Sequence, residues 1–457
     1  MNTRALFASI VGDRYVLDDE AALEVYGRDE YPRNWSRPRA VVLPATPQEA
    51  CEVVSACYRE NIPLTPRGRG TGLSGGAVPL DNSIVLSLER LERILEINDE
   101  DHLVVTEPGV IVKNLHDAVE AQDLYYPPDP ASLESCSIGG NVAENSGGPR
   151  ALKYGVTRHY LLGLDVILPG GEFCRMGGRV LKNTTGYDLP HLFVGSEGTL
   201  GVITAITLRL IPRPRVTRDL LIPFGKLDKA CQAVNRILLS LGITPAVLEF
   251  MDQNSIAAAE AFTGQTFPFN QAEGHLLVQL DGSSPSAVEE QAFALGELCL
   301  DLGADDVLMA STGSMRDRLW SARRVVLEAC KTTPPAAELH DISVPHSRIP
   351  ALVEALRSAG DRYGVDVACF GHAGDGNVHV ALMSDDPASF TAQLFQLNQE
   401  VAHIALSLDG AISGEHGIGA VKKPYLSKAL SPLELKLMRS LKATVDPQGL
   451  MNPGKIF

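Results

Sequence analysis

The feature that most constrains this chain is a run of glycines in its first hundred residues. Five glycines fall within the nine residues from Gly68 to Gly76, directly after an apolar, strand-like segment. Glycine adopts backbone angles closed to other residues and lets the main chain approach a ligand closely. Successive amide N–H groups in such a loop form an anion-binding nest. Taken alone, the loop predicts either a phosphate cradle or a flexible surface turn.

Two further glycine-rich segments follow. Residues 137–148 contain two Gly-Gly pairs interleaved with Asn and Ser, and residues 195–203 run from a glycine turn into an apolar strand. The first loop lacks the ending of a P-loop, and it has neither the spacing nor the following helix of a dinucleotide fingerprint. Ordering three such segments costs backbone entropy. One large phosphate-bearing ligand that orders all three would explain why the chain contains them.

Charge and cysteine usage exclude several classes of protein. The formal net charge is −16, whereas nucleic-acid binding needs a basic surface. There is no run of about 18 apolar residues, and the N-terminus resembles neither a secretory signal nor an Arg-rich transit peptide. The eight scattered cysteines contain no CxxC pair, which argues against an iron–sulfur cluster or zinc ribbon. We expect reduced cysteines, no nucleic-acid partner and a cytoplasmic location, with peripheral membrane contact left open.

Local signals place the elements of the first third. Thr46 and Glu49 form a capping box with Pro47 at the first helical position, which predicts a helix to about residue 59. Gly, Pro, Asn and Ser dominate residues 127–149, which indicates a long structured loop. The predicted strands of this part are residues 40–43, 62–66, 83–87, 103–107, 163–169 and 199–211.

Two prolines and two arginines alternate from Pro212 to Arg215, which indicates a domain boundary. Beyond it, the predicted elements follow the β-α-β-β-α-β order of a ferredoxin-like fold, and their first helix runs from residue 227 to Leu241. We see no internal repeat in the sequence. The fold class predicted from this order is α+β.

The sharpest catalytic chemistry lies in the C-terminal third. His372 and His379 flank a turn signal, and a chain reversal there would bring both imidazoles to one site. Glu415 and His416 stand side by side in a second glycine-flanked loop. Two histidines and one carboxylate suit a divalent transition metal with positions open for substrate. Hydrogen-bonded histidines in turns are the alternative, and the residues alone leave both open.

Together these motifs resemble a known family. The order PRGRGTGLSGG, SIGGNVAENSGG, GSEGTLGVIT and terminal NPGKIF is similar to the FAD-binding dehydrogenases of the vanillyl-alcohol oxidase/p-cresol methylhydroxylase (PCMH) superfamily. The resemblance runs from about residue 35 to the C-terminus and is strongest to the branch of D-lactate dehydrogenases and glycolate oxidase flavin subunits. It implies non-covalent FAD. The implied cofactor-binding residues are Arg67, Gly68, Arg69, Gly70, Thr71, Gly72, Leu73, Ser74, Gly75, Pro128, Ser137, Gly139, Gly140, Asn141, Asn145, Gly147, Gly148, Glu197, Gly201, Ile203 and Asn452.

The resemblance also implies the domain organisation. A PCMH-type FAD-binding domain of two subdomains is followed by a ferredoxin-like substrate-binding (cap) domain, and a helical C-terminal segment returns to the FAD domain. The expected limits are 1–35 for an N-terminal helical segment, 36–214 for the FAD domain, 215–410 for the cap domain and 411–457 for the C-terminal segment.

The resemblance assigns roles in the histidine cluster. Members with these motifs bind a divalent metal, for which we expect Zn or Mn. The implied metal ligands are His372, His379 and Glu415, and the implied general base is His416. Members also bind the substrate carboxylate through an arginine three residues after a tryptophan, which here implies Arg323. Arg324 is the local alternative, and an arginine on a helix surface is the non-functional one.

The expected reaction is oxidation of a small D-2-hydroxy acid to the 2-oxo acid, with hydride transferred to the flavin N5. Relatives that act on 2-hydroxyglutarate have a Lys and an Asn for the distal carboxylate where this chain has Leu339 and Ala381. A site without a partner for a buried charge discriminates strongly against such a substrate. We therefore expect D-lactate or glycolate. The alternatives are a D-2-hydroxyglutarate dehydrogenase, a non-catalytic flavoprotein subunit of a multi-subunit oxidase and a flavin-free metal hydrolase.

The reduced flavin needs a separate electron acceptor, because the chain carries no iron–sulfur motif. A quinone, an electron-transfer flavoprotein, a cytochrome and an iron–sulfur subunit are all compatible with the sequence. A homodimer is compatible as well.

Overall fold

The computed structural model describes residues 3–240 and 242–457. The chain divides into two units, of which the first comprises Met1–Gly147, Val156–Arg213 and Glu415–Phe457. The second unit comprises Gly148–Gly155 and Pro214–Gly414. Residues 1 and 2 of the predicted N-terminal segment, and the predicted helix end at Leu241, lie outside the described residues.

The α-helices of the described residues are α1 (Thr3–Val11), α2 (Glu20–Tyr26), α3 (Pro47–Arg59), α4 (Val112–Glu120), α5 (Ile138–Glu144), α6 (Ala151–Tyr154), α7 (Pro190–Phe193), α8 (Leu227–Ser240), α9 (Gln253–Thr263), α10 (Pro285–Asp301), α11 (Gly313–Thr332), α12 (Ile349–Tyr363), α13 (Pro387–Ser407), α14 (Leu426–Ala429) and α15 (Pro432–Val445). None of them is both long and apolar enough to cross a lipid bilayer.

The strands of the described residues are β1 (Val16–Leu17), β2 (Ala40–Val42), β3 (Leu64–Arg67), β4 (Ile84–Ser87), β5 (Ile94–Asn98), β6 (Leu103–Thr106), β7 (Leu124–Tyr125), β8 (Leu161–Ile167), β9 (Phe173–Gly177), β10 (Val202–Arg209), β11 (Ile211–Pro212), β12 (Val216–Phe224), β13 (Val247–Asp252), β14 (Gly274–Gly282), β15 (Leu308–Met309), β16 (Ala336–Ser343), β17 (Asp366–His372) and β18 (Asn377–Ser384).

A four-stranded sheet of order β1-β2-β4-β3 lies in the first unit, and the first glycine loop follows β3. The strands β2, β4 and β3 are parallel, and α1 and α3 pack on them through buried residues such as Phe7 and Val53. The helix α3 begins as predicted. The Thr46 side chain accepts a hydrogen bond from the amide of Glu49 (3.1 Å), and Pro47 occupies the first turn.

A five-stranded antiparallel sheet of order β5-β6-β10-β8-β9 completes the sheet structure of the first unit, together with the short pair β7 and β11. The second glycine segment lies between β7 and β8, and the third leads into β10. Apart from Gly148, all three glycine segments therefore lie in the first unit.

The segment predicted as one long loop contains the helix α5, so that prediction was wrong. Ile138 and Val142, four residues apart, are fully buried and anchor this helix. A Cβ on Gly139 would overlap the Pro108 side chain and would lie 2.9 Å from the Pro108 carbonyl oxygen. Glycine has a low helix propensity, but packing against Pro108 requires it here. Composition alone misses such a helix because tertiary contacts outweigh propensity.

The second unit is built on a seven-stranded antiparallel sheet of order β15-β12-β14-β13-β17-β18-β16. Its first four strands, with α8 and α10, have the ferredoxin-like order that the sequence predicts, and α9 is inserted between β13 and β14. The strands β16, β17 and β18, with α12 and α13, repeat the same course. A bridge between Ser343 and Ala411 lies where the fourth strand of the second half would pair. The unit is thus a doubled ferredoxin-like fold, although no repeat is visible in the sequence.

The two faces of this sheet differ. The helices α8, α10, α12 and α13 cover one face with the largest apolar cluster of the unit, and α9 and α11 lie on the other face. Side chains two residues apart on a strand share a face. The face toward α9 and α11 carries Glu249 and Met251 on β13, Phe370 and His372 on β17, His379 and Ala381 on β18, and Leu339 and Asp341 on β16. This face therefore holds both predicted histidines.

The packing of α5 predicts a loss of stability at one of two neighbouring glycines and little change at the other. Gly139→Ala should lower the free energy of unfolding by about 1–3 kcal/mol, because the new methyl group overlaps Pro108. Gly140→Ala is the matched control, since its Cβ would meet nothing closer than the Ser137 hydroxyl at 3.5 Å. Urea unfolding followed by circular dichroism measures both. Equal effects would contradict the packing argument.

Candidate active site

The three glycine segments of the first unit lie against one another. A Cβ on Gly68 would overlap the Ser137 hydroxyl, so the first segment touches the second. The Asn452 side chain donates hydrogen bonds to the carbonyl oxygens of Gly76 (3.0 Å) and Glu197 (2.7 Å). Asn452 thereby joins the first segment to the third. The segments and the C-terminal stretch form one continuous surface within this unit.

Several buried polar atoms on this surface lack a hydrogen-bond partner among the described residues. They are Ser74 Oγ, Ser137 Oγ, Asn141 Nδ2 and Asn452 Oδ1. A buried polar atom without a partner costs about 1–3 kcal/mol. A large polar ligand that bonds to these atoms would remove that cost, and the glycines let a phosphate group approach the amides closely. The residues present therefore fit the cofactor that the resemblance implies.

Every implied cofactor residue except Gly148 belongs to the first unit. Three of them use their side chains to hold the loops. Arg67 donates to a main-chain carbonyl oxygen (2.7 Å), and Arg69 forms an ion pair with Glu92 (3.2 Å). The carboxylate of Glu197 accepts hydrogen bonds from main-chain amides. The loop backbone and the hydroxyl and amide side chains are the parts that fit a ligand.

In the second unit, a buried carboxylate lies between two basic side chains. Glu249 is paired with His372 across β13 and β17, and its Oε1 is 2.5 Å from His372 Nδ1. Its Oε2 accepts a hydrogen bond from Nε of Arg323 on α11 (2.6 Å). Burial opposes ionisation of Glu249, but the positive charges of His372 and Arg323, and hydrogen bonds from both, outweigh it and lower its pKa to about 2.

This contact sets the orientation of the His372 ring. Because Nδ1 faces Glu249, the other ring nitrogen, Nε2, is the one that points away from the carboxylate. Histidines that bind metals commonly donate one ring N–H to a carboxylate and use the other nitrogen as the ligand. The arrangement of His372 is the one that such a ligand needs.

The second histidine lies beside the first. The strands β17 and β18 form a hairpin in which His372 pairs with Asn377, so the chain reverses between them. The ring centroids of His372 and His379 are 5.3 Å apart, and that of Phe370 is 5.6 Å from His379. The reversal brings both imidazoles to one side of the sheet, and one aromatic ring packs against them.

Asp341 on β16 fixes the surroundings of His379. One of its oxygens lies 4.0 Å from His379 Nδ1 and accepts a hydrogen bond from the Asn377 side chain (2.6 Å). The other oxygen accepts from the Ser413 hydroxyl (3.1 Å) and the Gly414 amide (2.9 Å). Asp341 thus holds the hairpin and the end of the second unit in place.

The remaining two residues of the predicted cluster belong to the first unit, which resumes at Glu415. A carboxylate oxygen of Glu415 lies 2.9 Å from the position that a Cβ on Gly147 would take. Any side chain on Gly147 would therefore press on Glu415. His416 follows directly, before the turn Gly417–Gly419.

The two candidate arginines of α11 point in different directions. The Arg323 side chain is 11% exposed, pairs with Glu249 and lies over the Phe370 ring at 5.5 Å. The Arg324 side chain is 55% exposed and pairs with Asp317. Arg324 is the surface arginine, and Arg323 faces the histidines.

Sequence reasoning missed Glu249 and Asp341. Both are completely buried acids within strands of the central sheet. An acid between the apolar residues of a strand is itself a signal, since a buried charge needs a partner. The sequence does not show which partner, because His372 is more than a hundred residues from Glu249 along the chain.

The wall beside the histidines is apolar. Leu339 and Ala381 lie directly opposite one another across β16 and β18, on the face that carries His379. Ala381 and Phe370 are completely buried, and Leu339 packs against the same apolar cluster. No cationic side chain stands at either position.

Comparison with known proteins matches both parts of the chain. Residues 38–177 match the family described as FAD binding domain, and residues 213–456 match the one described as FAD linked oxidases, C-terminal domain. A Bacillus subtilis protein named glycolate oxidase subunit GlcD is 39% identical, over 96% of this chain and 93% of its own.

Two further relatives carry other substrate names. A D-lactate dehydrogenase of Anaerostipes hadrus is 36% identical, over 98% of this chain and 94% of its own. A D-2-hydroxyglutarate dehydrogenase of Xanthomonas citri pv. viticola is 37% identical, over 96% of this chain and 93% of its own.

The solved structure of p-cresol methylhydroxylase with substrate bound has a TM-score of 0.83 at 17% identity, over 99% of this chain and 96% of that one. This likeness confirms the predicted PCMH-type fold.

The shared carboxylate predicts a large loss of stability on its removal. Glu249→Gln should lower the free energy of unfolding by about 3–5 kcal/mol, because buried Arg323 loses its charged partner. Arg324→Gln breaks an exposed pair on the same helix and should cost less than about 1 kcal/mol. Urea unfolding of both variants tests the difference, and a Glu249→Gln protein as stable as Arg324→Gln would contradict it.

Proposed function

Because this chain belongs to the family of FAD-linked oxidases, we propose that it oxidises a small D-2-hydroxy acid, D-lactate or glycolate, to the 2-oxo acid. The chain is an oxidoreductase of this family. The observation that carries the choice of substrate class is the chain of contacts from Arg323 through Glu249 to His372, beside His379. It places a guanidinium and two imidazoles on one face of the second unit.

Arg323 is the proposed partner of the substrate carboxylate. A guanidinium binds a carboxylate through two parallel N–H groups. Glu249 accepts a hydrogen bond from Nε of Arg323 and so fixes the plane of the guanidinium. The terminal nitrogens remain for the substrate carboxylate. Arg323 and His372 both contact Glu249 and offset its negative charge. The surface beside them therefore does not repel an anionic substrate.

His372, His379 and Glu415 are the proposed ligands of a divalent metal, Zn or Mn. Two imidazoles and a carboxylate are a set that such ions bind. A bound ion would supply Lewis acidity that lowers the pKa of the substrate hydroxyl. The buried carboxylates beside the two rings support the proposal, because they orient imidazoles for this use.

His416 is the proposed general base. An imidazole that is not used as a metal ligand can accept the proton of a substrate hydroxyl. FAD, when bound, supplies the acceptor for the hydride that leaves the substrate Cα. Loss of the proton to His416 and of the hydride from carbon turns the alcohol into a carbonyl, and two electrons leave the substrate.

The apolar wall supports a monocarboxylate. Leu339 and Ala381 face each other across β16 and β18, and neither side chain could pair with a second carboxylate bound beside it. A site that buries an unpaired charge rejects it strongly. The alternative, D-2-hydroxyglutarate, is favoured by the similarly close relative that carries that name. It requires the second carboxylate to be held by other residues.

Electrons are proposed to pass from the flavin to a separate acceptor, as the name of the B. subtilis relative, a subunit, also suggests. A quinone, an electron-transfer flavoprotein, a cytochrome or an iron–sulfur subunit would serve. A cytoplasmic location is proposed because all eight cysteines are free thiols.

The substrate class is tested by anaerobic reduction of the flavin. Absorbance near ~450 nm is followed while D-lactate, L-lactate, glycolate and D-2-hydroxyglutarate are added in turn. D-lactate or glycolate should bleach the flavin, and His416→Ala should slow the bleaching by about 10²–10⁴-fold. Yellow protein that none of the four bleaches would overturn the proposed substrates and favour a non-catalytic subunit.

The apolar wall is tested by restoring a cation. Leu339→Lys should raise the rate with D-2-hydroxyglutarate relative to D-lactate by about tenfold or more, because a distal carboxylate gains a partner. Leu339→Met is the control, since it keeps the wall apolar at nearly the same volume. An unchanged ratio of kcat/KM values in the Lys variant would place the distal group of the substrate elsewhere.

A further inference from the structure

The turn that follows His416 has no room for a side chain at either of its glycines. Gly417 and Gly419 have φ angles of +81° and +52°, in the left-handed region. A Cβ on Gly419 would overlap the Ser74 carbonyl oxygen, and one on Gly417 would overlap a carboxylate oxygen of Glu144. The turn is therefore pressed against the first and second glycine segments.

One side chain holds this turn by its backbone. The two oxygens of Glu197 accept hydrogen bonds from the amides of Ile418 (2.8 Å) and Gly419 (2.6 Å). The next two amides, of residues 420 and 421, both donate to the Ser74 carbonyl oxygen, at 3.0 and 3.1 Å. Four consecutive amides after Gly417 are thus fixed by two residues of the glycine segments.

Glu197 is itself immobilised. Its φ angle is +52°, an uncommon value for a residue with a side chain. Its amide donates to the Ala143 carbonyl oxygen (2.9 Å), and its carbonyl oxygen accepts from Asn452 (2.7 Å). The residue is 5% exposed. The backbone contacts and the burial of Glu197 therefore fix the position of its carboxylate.

The charges around Glu197 favour its ionised form over that of its neighbour. Burial raises the pKa of Glu197, while the two amides, Lys422 and Lys455 oppose the rise. Burial, followed by the charges of Glu197 and Asp29, raises the pKa of Glu144 well above the ordinary value. Of the two acids, Glu197 is the one whose pKa rise is opposed by main-chain amides and lysines.

We infer that Glu197 is a positioning residue whose carboxylate fixes the main chain after His416, and so fixes the place from which His416 takes the substrate proton. This inference rests on the proposed role of His416. It differs from the implied role of Glu197 as a cofactor contact, because both carboxylate oxygens are directed at the turn.

The test is Glu197→Gln. A glutamine keeps the size of the side chain but turns one acceptor into an NH₂ group that faces a main-chain N–H. We expect kcat to fall by about 10²-fold, as for a misplacement of about 1 Å, with KM within about twofold. FAD content should match that of the unsubstituted protein. A Glu197→Gln protein without FAD would overturn the inference and make Glu197 a cofactor residue.

The matched control is Glu107→Gln in the same unit. Glu107 is also buried, and its carboxylate accepts a hydrogen bond from the main-chain amide of Arg93 (2.8 Å). This variant should lose comparable thermal stability while kcat stays unchanged. If both variants lower kcat equally, the effect of Glu197 is general destabilisation, and the inference fails.

A double-mutant comparison separates the inference from the proposed function. If Glu197 acts through His416, Glu197→Gln should cost nothing further in a His416→Ala background, measured as the single-turnover rate of flavin reduction. Additive losses would overturn the positioning role and leave His416 as the base. A fully active His416→Ala protein would overturn both. A normal Glu197→Gln rate beside an inactive His416→Ala protein would overturn the inference alone.

Discussion

The candidate site of the second unit depends on one carboxylate that serves two cations. Glu249 is completely buried, and a buried carboxylate is stable only with charged partners and hydrogen bonds. It has both from His372 and Arg323. Glu249 lies on β13 and His372 on β17, the pair of strands that joins the two ferredoxin-like halves. The contact that orients the imidazole therefore lies at the junction of the duplicated fold, and α11, the long helix between the halves, supplies the arginine.

In the first unit, the corresponding constraint is the close approach of backbone to backbone. The glycine segments touch one another, and side chains such as Asn452 and Glu197 bond to main-chain groups of neighbouring segments. A loop surface of this kind has few side chains of its own to present. It recognises a ligand by amides, hydroxyls and shape. This suits a large cofactor that carries the reactive group, which the protein only has to bind and orient.

Much of the fold could be predicted from local signals, and the rest depends on distant contacts. The cap at Thr46, the ferredoxin-like order and the hairpin between the two histidines follow from short patterns, and the structure contains all three. The helix α5 could not be predicted, because Gly139 is needed there for contact with Pro108. The role of Glu249 could not be predicted either, since its partners lie far away in the chain. The metal ligands His372, His379 and Glu415 and the general base His416 remain predictions.

The division of the chain has a consequence for biosynthesis. Leu64 at the start of β3 exchanges main-chain hydrogen bonds with Leu450 and Asn452, which follow the second unit in the chain. During synthesis, the whole of Pro214–Gly414 is therefore made before the segment Glu415–Phe457 that completes the first unit. The second unit is nearly continuous and can form earlier, whereas contacts of such long sequence separation form slowly. The glycine segments thus gain the support of Asn452 only after the whole of the second unit has been synthesised.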